Sequence, residues 1–433
     1  TNGGELGIES QYDEELTGTN GTTYSYVDEG LEVTETQKNA VDGNNIVTTL
    51  DYNVQSIIEK CILEYNEEKP SKNTAVVVAD PSNGEILGMA SYPTFNLNDP
   101  RKLTGMYTDE EIKDMSDEEY RNNLYSLWTN YCVSESYEPG STFKPVTVAS
   151  ALEEGVVKDG DTYVCKGFET VADYKLKCHV FSTIGSHGSL TVEQALMNSC
   201  NPYMIHLALE MGNSRFAYYQ SLFGFGKITG IVYGDRMTTI DAACNSFGQT
   251  INVNMMQMMA AYCSIINGGM LYQPHIVKRI ESANGEVVKE YKANLVRQTI
   301  TASTSKLLRR YLKNTVEEGT AKKAGVTGYS VAGKTGTAQK GDRKDNKWII
   351  SFIGHAPAEN PKFAIYVVID EPYGTTGTSG SSADVLTLTH NILEKLLPYM
   401  NVYKDASDEY EDTSSSPDEL TVDGIPAGTA SSN

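Results

Sequence analysis

Residues 138–150 read EPGSTFKPVTVAS, with Ser141 and Lys144 three positions apart just after Pro139-Gly140. A serine hydroxyl is a weak nucleophile until a neighbour takes its proton, and a lysine can take it only as the neutral amine. Neutrality near pH 7 needs the lysine pKa brought down by about 3, roughly 4 kcal/mol, through burial and a nearby cation. A working pair therefore calls for a second positive group, donors for an oxyanion and a polar group that returns the proton to a leaving amine. The spacing alone is not decisive, because Ser303 and Lys306 repeat it in TASTSKLLRR. Position separates the two. Pro139-Gly140 closes a loop, so Ser141 opens the helix TFKPVTVASALEEG, where free N–H groups and the helix dipole favour negative charge. Lys144 falls one turn on, on the same face, and Pro145 is tolerated in a first turn. Ser303 precedes the solvent-type helix SKLLRRYLKN, where capping accounts for it.

Two other segments supply the missing parts. In ALMNSCNPYMIHLAL a helix halts at Ser199-Cys200-Asn201 before Pro202, which sets a hydroxyl and an amide on a turn between helices. Ser282-Ala283-Asn284 imitates this pattern but precedes Gly285 and reads as a hairpin turn. In YSVAGKTGTAQK the chain is extended, so Thr335 and Thr337 project to one face. Lys334 offers the second cation, and Gly336 leaves room for a ligand backbone to approach. This is the only K-T-G in the chain.

Around these segments the periodicity predicts a sheet built from both ends of the chain. LDYNVQSIIEKCILEYNEE (50–68) has apolar residues at helical spacing. TAVVVADPSNGEILGMAS holds two strand-like runs about the turn Asp80–Gly84. Capping boxes at Thr108…Glu111 and Ser116…Glu119 mark paired short helices. Residues 141–315 are mostly helical, strands return at WIISFIG (348–354) and FAIYVVI (363–369), and a final amphipathic helix covers about 382–400. The hairpins from 74–91 and about 328–369 make one sheet, with the first and last helices on one face and the helical middle on the other. Residues 1–46 read as an acidic extended lead-in, 47–403 as the main domain, and 404–433 as an acidic, Ser-rich disordered tail.

The formal net charge of −22 divides into −9 for residues 1–43, −7 for 404–433 and −6 for the 360 residues between. A nearly neutral body without clustered Lys/Arg argues against nucleic-acid binding. No apolar run approaches the ~18 residues of a membrane span. The chain begins at Thr1 without a signal peptide, as a processed product or a fragment does. Seven cysteines are too few for a disulfide scaffold. Most sit in apolar helical contexts as buried thiols. Cys165 and Cys178 flank GFETVADYKLK, a hairpin whose arms a disulfide could bridge; the sequence leaves that open. Adding His179 and His187 suggests a metal, but C-x12-C-H-x7-H matches no usual zinc spacing, and no metal is expected.

S-x-x-K, S-x-N and K-T-G in this order are the signature of penicillin-binding proteins and serine β-lactamases. With EPGSTFKP, NSCN and GKTGTAQ intact, the chain closely resembles the transpeptidase domain of a class B penicillin-binding protein from about Val47 to Tyr403. ADPSNGEILGMASYPTFNLNDP, the C-x-G…C…HG segment ending at Gly188, and SFIGHAPAENPKFAIYVVIDEP belong to the likeness. It implies an α/β (α+β) transpeptidase fold, a mainly antiparallel sheet flanked by helices with a helical subdomain. It also implies that Ser141 attacks the carbonyl between the last two D-alanines of a peptidoglycan stem peptide and that Lys144 takes its proton. Backbone N–H groups of Ser141 and Thr337 would form the oxyanion hole, and Ser199 would relay the proton to the leaving D-alanine. Asn201 would bind the penultimate amide, Lys334 would set the site potential, and Thr335 and Thr337 would hold the terminal carboxylate. An amine on a neighbouring stem would then take the acyl group, and penicillins would acylate the same serine. No cofactor is implied, in keeping with the lack of H-E-x-x-H or a Gly-rich phosphate loop.

Such proteins are anchored on the extracytoplasmic face of the bacterial membrane, carry a non-catalytic pedestal and work with a membrane glycosyltransferase. Here only residues 1–45 precede the likeness, as a remnant of that pedestal in an anchored protein would. The ADPSNGEILGMASYPTF and AENPKFAIYVVIDEP segments lean toward septal or sporulation types. The alternatives are a β-lactamase or D,D-carboxypeptidase of the same fold, or a catalytically silent penicillin sensor or scaffold.

Overall fold

The sheet begins with a turn written in side chains. Asp80 Oδ1 accepts hydrogen bonds from the Ser82 N–H at 2.8 Å and its hydroxyl, Asn83 Oδ1 accepts from the Glu85 N–H, and Gly84 supplies φ +84°. Short polar side chains that bond backbone two residues on are what tight turns select. The computed structural model describes residues 3–27, 33–103, 107–226, 237–341, 347–372 and 382–406. The acidic tail expected to be disordered lies, from residue 407, outside the described residues. The turn joins β1 (Ser71–Ala79) to β2 (Ile86–Tyr92), and the later strands are β3 (Ala332–Lys340), β4 (Lys347–Ala356) and β5 (Phe363–Pro372). Their spatial order is β3-β4-β5-β1-β2, antiparallel throughout, so both ends of the chain close one sheet.

The expected layering follows from period two along β1. Val76 and Val78 face α1 (Tyr52–Glu68), through Val54, Ile58 and Ile62, and the C-terminal helix, through Leu388, Ile392 and Leu396. Ala75, Val77 and Ala79 face the opposite cluster. That side is built by α2 (Lys144–Glu154), α3 (Asn201–Met211), α4 (Met255–Ile266) and α5 (Ala302–Glu317); the C-terminal helix is α6 (Ser382–Tyr399). Of the four methionines of α4, Met255, Met258 and Met259 are buried core side chains and Met256 packs partly buried against them. Both capping boxes form, at Thr108/Glu111 and Ser116/Glu119.

The lead-in is more structured than its composition suggests. Gly7–Gln11 and Asp13–Leu16 are short helices, and Thr22–Val27 pairs antiparallel with Val33–Lys38. Asp13, Glu14 and Glu15 occupy a helix first turn, where the dipole favours carboxylates, and Asp13 accepts from the Gly4 N–H at 2.7 Å. Asn45–Thr48 adds a strand to Val277–Glu281, which ties the start of the chain to its helical middle.

Phe352 shows how tightly β3 and β4 close. A Cβ on Gly333 or Gly354 would lie 2.3 or 2.5 Å from its ring, so the fully buried ring occupies the room those glycines leave. Phe352→Ala should cost about 3–5 kcal/mol, because the cavity opens over two hydrogen-bonded strands that cannot move in to fill it. Leu63→Ala, on the half-exposed face of α1, should stay within about 0.5 kcal/mol. Urea unfolding followed by far-UV dichroism checks the pair; equal midpoints would refute the account.

Candidate active site

Pro139 and Gly140 carry Ser141 to the edge of the sheet. Gly140 adopts φ +57°, donates its N–H to Gly248 O at 2.9 Å, and lies so close to β3 that a Cβ would sit 2.7 Å from Thr337 O. Only glycine takes this conformation at this spacing. The first turn, Gly140–Phe143, is 3₁₀ rather than α, and α2 starts at Lys144. Lys144 is completely buried. Its ammonium donates to Ser199 O at 2.6 Å, Ser199 Oγ at 2.9 Å and Asn201 Oδ1 at 2.7 Å. Ser199 Oγ in turn donates to Ser141 Oγ at 3.0 Å. The chain of contacts is thus Ser141, Ser199, Lys144, with Asn201 completing the shell of the amine.

The Ser199 turn follows from the sequence on either side. The helix Val192–Met197 opens with a Thr191/Gln194 capping box. It closes with the Cys200 N–H on Ala195 O at 2.8 Å, and α3 then begins with Pro202 in its first turn, where a missing N–H costs nothing. Ser199 itself sits at φ +54°, a left-handed conformation that strains a residue with a side chain by about 1–3 kcal/mol.

Strand β3 forms the opposite wall. Thr335 is buried, Thr337 is half-buried, and the two share a face. Lys334 is completely buried, and its ammonium donates to Thr335 O at 3.1 Å and Thr335 Oγ1 at 3.3 Å. Thr320, which no sequence signal marked, lies 3.3 Å from Thr335 through its hydroxyl. Gly336 is closely packed. A Cβ there would meet Ser351 Oγ at 2.4 Å, Thr142 Cγ2 at 2.9 Å and Pro139 O at 3.0 Å. The missing side chain admits Ser351 of β4 and the protein's own nucleophile turn.

Burial dominates the electrostatics. Desolvation brings Lys144 down to about 8, opposed by the nearby thiols of Cys178 and Cys200. Desolvation first, and then the charge of Lys144, push Lys334 well below the ordinary lysine value. Burial, not the second cation, is therefore the main lever on Lys144.

The look-alike motifs stay apart from this site. Ser303 is exposed and bonds Thr301 Oγ1 at 2.9 Å; Thr301, not Ser303, caps α5. Ser282–Glu286 is a hairpin turn with Gly285 at φ +83°. Behind the Ser199 turn lies a second cluster. Cys165, Cys178, His187 and Cys200 bring one ligand atom each to within 4.8 Å of one another, a set able to hold a metal. Cys165 and Cys178 are not bridged, and all seven cysteines are free thiols. The histidine that joins is His187. The fourth donor is Cys200, inside S-x-N, which the spacing C-x12-C-H-x7-H does not include.

Residues 74–394 match the penicillin binding protein transpeptidase domain. The chain belongs to that family. It is 36% identical over 421 residues to stage V sporulation protein D of Bacillus subtilis, covering 93% of this chain and 61% of the relative. It is 28% identical over 421 residues to peptidoglycan D,D-transpeptidase FtsI of Escherichia coli, covering 92% of this chain and 64% of that one. Among solved structures it superposes on penicillin binding protein 3 of Mycobacterium tuberculosis, crystallised with ampicillin, with a TM-score of 0.76 and 26% identity; 94% of this chain and 87% of that one are covered. The chain spans just over three-fifths of the length of these curated relatives. These homologues are class B penicillin-binding proteins of the wall-synthesis type, and the transpeptidase fold inferred from the three motifs is the one observed. No helix among the described residues is long and apolar enough to cross a membrane.

The close approach at Gly336 has a measurable consequence. Gly336→Ala should slow acylation by penicillin about tenfold or more, equivalent to about 1.4 kcal/mol or more, by forcing β3 away from the Pro139–Thr142 turn. Adding Ser351→Ala removes the nearest obstacle, so the double variant should recover part of the loss. Stopped-flow acylation of the two variants decides it. Wild-type rates in Gly336→Ala would sink the argument.

Proposed function

We propose that the chain is the catalytic part of a peptidoglycan D,D-transpeptidase, with residues 47–403 as the working unit. The observation that carries this is the continuous hydroxyl–hydroxyl–amine contact from Ser141 through Ser199 to Lys144, set beside the Thr335–Thr337 face. Neutral Lys144 takes the Ser141 proton, directly or through Ser199, as Oγ bonds to the carbonyl between the two terminal D-alanines. Backbone N–H groups of Ser141 and Thr337 hold the oxyanion, worth several kcal/mol where such donors are fixed in advance. The C–N bond then breaks. The proton on Lys144 passes through Ser199 to the departing D-alanine amine, leaving an ester on Ser141. An amine of a second stem peptide attacks that ester, losing its proton back along the same path, and the cross-link forms.

Asn201, fixed by its contact with Lys144, orients the penultimate amide. The hydroxyls of Thr335 and Thr337, with Lys334 behind them, hold the terminal carboxylate. β3 is the edge of the sheet, so alternate N–H and C=O groups point away from β4 and can receive an extended peptide. β-Lactams would acylate Ser141 as substrate mimics. The reaction belongs outside the cytoplasm, on a membrane-anchored form that works beside a glycosyltransferase, since a cross-linker needs newly polymerised glycan.

Fluorescent penicillin labelling followed over hours by intact mass, on wild type and Ser141→Ala, tests the reading. A stable adduct on wild type alone is expected. Rapid loss of the adduct with drug turnover would indicate a hydrolase, and labelling of the Ser141→Ala protein would overturn the assignment of the nucleophile. The pH dependence is a second check. With the base form of Lys144 required and its pKa near 8, the acylation rate should rise with pH through about 8 and level off above it. A rate flat from pH 6 to 10 would exclude Lys144 as the base.

A further inference from the structure

Three of the chain's cysteines are buried apart from the other thiols. Cys61 Sγ points to Asn391 O, Cys132 Sγ to Val76 O and Ala90 O, and Cys263 Sγ to Met259. Cys165, Cys178 and Cys200 are different. Their sulfurs converge with His187 in one group of four donors, all within 4.8 Å of one another, and each cysteine is at most 3% exposed. His187 Nδ1 lies 3.8 Å from Cys165 Sγ and 3.5 Å from Cys178 Sγ. A tetrahedral zinc with bonds of about 2.3 Å to sulfur and 2.0–2.1 Å to nitrogen sets its donors roughly 3.6–3.8 Å apart. The two distances from His187 match that spacing, and all four atoms lie within 4.8 Å of one another.

The surrounding backbone suits anionic sulfur. The Gly167 N–H donates to Cys165 Sγ at 3.4 Å, and backbone N–H groups of Val180 and Asn201 point at Cys178 Sγ and that of Tyr203 at Cys200 Sγ. Donors of this kind around thiolates are the outer shell that orients metal ligands. The four ligands also come from separate pieces of structure. Cys165 ends the strand Thr162–Cys165, which pairs with Gly188–Thr191 next to His187. Cys178 follows the strand Tyr174–Lys177, and Cys200 is the middle residue of the Ser199–Asn201 turn. Two weaker ties already link the hairpin to that turn: His179 Nε2 lies 3.0 Å from Asn198 O, and Asn201 Nδ2 donates to Lys177 O at 3.4 Å.

We propose that Cys165, Cys178, Cys200 and His187 Nδ1 bind one Zn²⁺ in a closed tetrahedral site, and that this ion holds the Ser199–Cys200–Asn201 turn in place against Ser141 and Lys144. Binding converts three thiols to thiolates and releases three protons to solvent. The neutral imidazole completes the shell, leaving no position open for water or substrate, so the ion is structural and takes no part in the acyl transfer. Its role is positional. Ser199 is held in a left-handed conformation, and a metal bond at the next residue stops the turn from relaxing.

Metal content tests the first half independently of the transpeptidase reading, on which only the second half rests. Protein purified with reductant and without added metal should carry about one zinc per chain by mass spectrometry of the elements. Cys61→Ser should match it, and Cys165→Ser, which leaves the catalytic turn untouched, should fall below about a tenth. Should Cys165→Ser fail to fold, cobalt exchanged into wild type must give the thiolate charge-transfer band and intense visible bands of tetrahedral Co²⁺. Zinc-free protein, iron in place of zinc, or an intact mass 2 Da light from a disulfide within the cluster would each overturn the site. For the positional half, stripping zinc with a chelator should slow penicillin acylation tenfold or more, and zinc but not magnesium should restore it. Zinc removal with an unchanged acylation rate would refute that role while leaving the ion in place.

Discussion

An ammonium group with no access to water is the constraint around which this site is built. Burying a lone cation is prohibitively expensive unless its donors are all satisfied. Lys144 finds three oxygens, and all three belong to Ser199 and Asn201. The S-x-x-K helix cannot keep its lysine without the S-x-N turn. The turn has reason to accept a strained residue because the left-handed bend lets both the carbonyl and the hydroxyl of Ser199 face the amine. The same compromise tunes the chemistry. A shell of neutral oxygens tolerates the charged form but favours it less than water does, which is why the pKa settles near 8 and not near 10.

Backbone contacts, not side-chain rotamers, set where this group stands relative to the sheet. Gly248 presses on Gly140, Gly140 on Thr337, and Gly336 on Pro139 and Thr142. Each is a place where main chain meets main chain or a short side chain, so the separation of Ser141 from β3 has little slack. β3 in turn is held through nine registered residue pairs to β4, whose Phe352 fills the space left by Gly333 and Gly354. Precision of this kind is what a preorganised site needs, since donors aimed slightly wrong lose most of their worth.

Much of this was legible in the sequence, and the illegible part has physical causes. Strands with fully apolar runs, such as Ala75–Ala79, could be recognised, and the order of elements along the chain suggested that the first and last helices cover one face and the helical middle the other. The three motifs could be ordered and their look-alikes set aside by local context. Three things escaped. The lead-in looked featureless because its helices are one turn long and its hairpin is exposed on both faces. The close packing at Gly336 escaped because Pro139 and Thr142, which help fill its empty side, are nearly two hundred residues away. The four-donor cluster escaped because the spacing C-x12-C-H-x7-H takes in His179 and leaves out Cys200, and matches no usual zinc pattern. Here the fourth, Cys200, is brought in by α3 and was already spoken for by another motif.

The two buried lysines bring the electrostatics together. Burial first, and then the charge of Lys144, hold Lys334 well below the ordinary lysine value, with its ammonium donating to Thr335 O and Oγ1 at 3.1 and 3.3 Å. A carboxylate arriving at Thr335 and Thr337 would reverse that shift, since an anion within reach restores the charged form of Lys334. The restored cation would then act on Lys144 and press it further toward the neutral base. Substrate recognition and base activation would thus be one electrostatic event. On the proposed reaction, the free enzyme would keep Lys144 partly protonated and Ser141 inert, and the carboxylate of a stem-peptide terminus would supply the charge that completes the dyad. This ordering would give the second cation a role in the site even though burial alone does most of the work on Lys144.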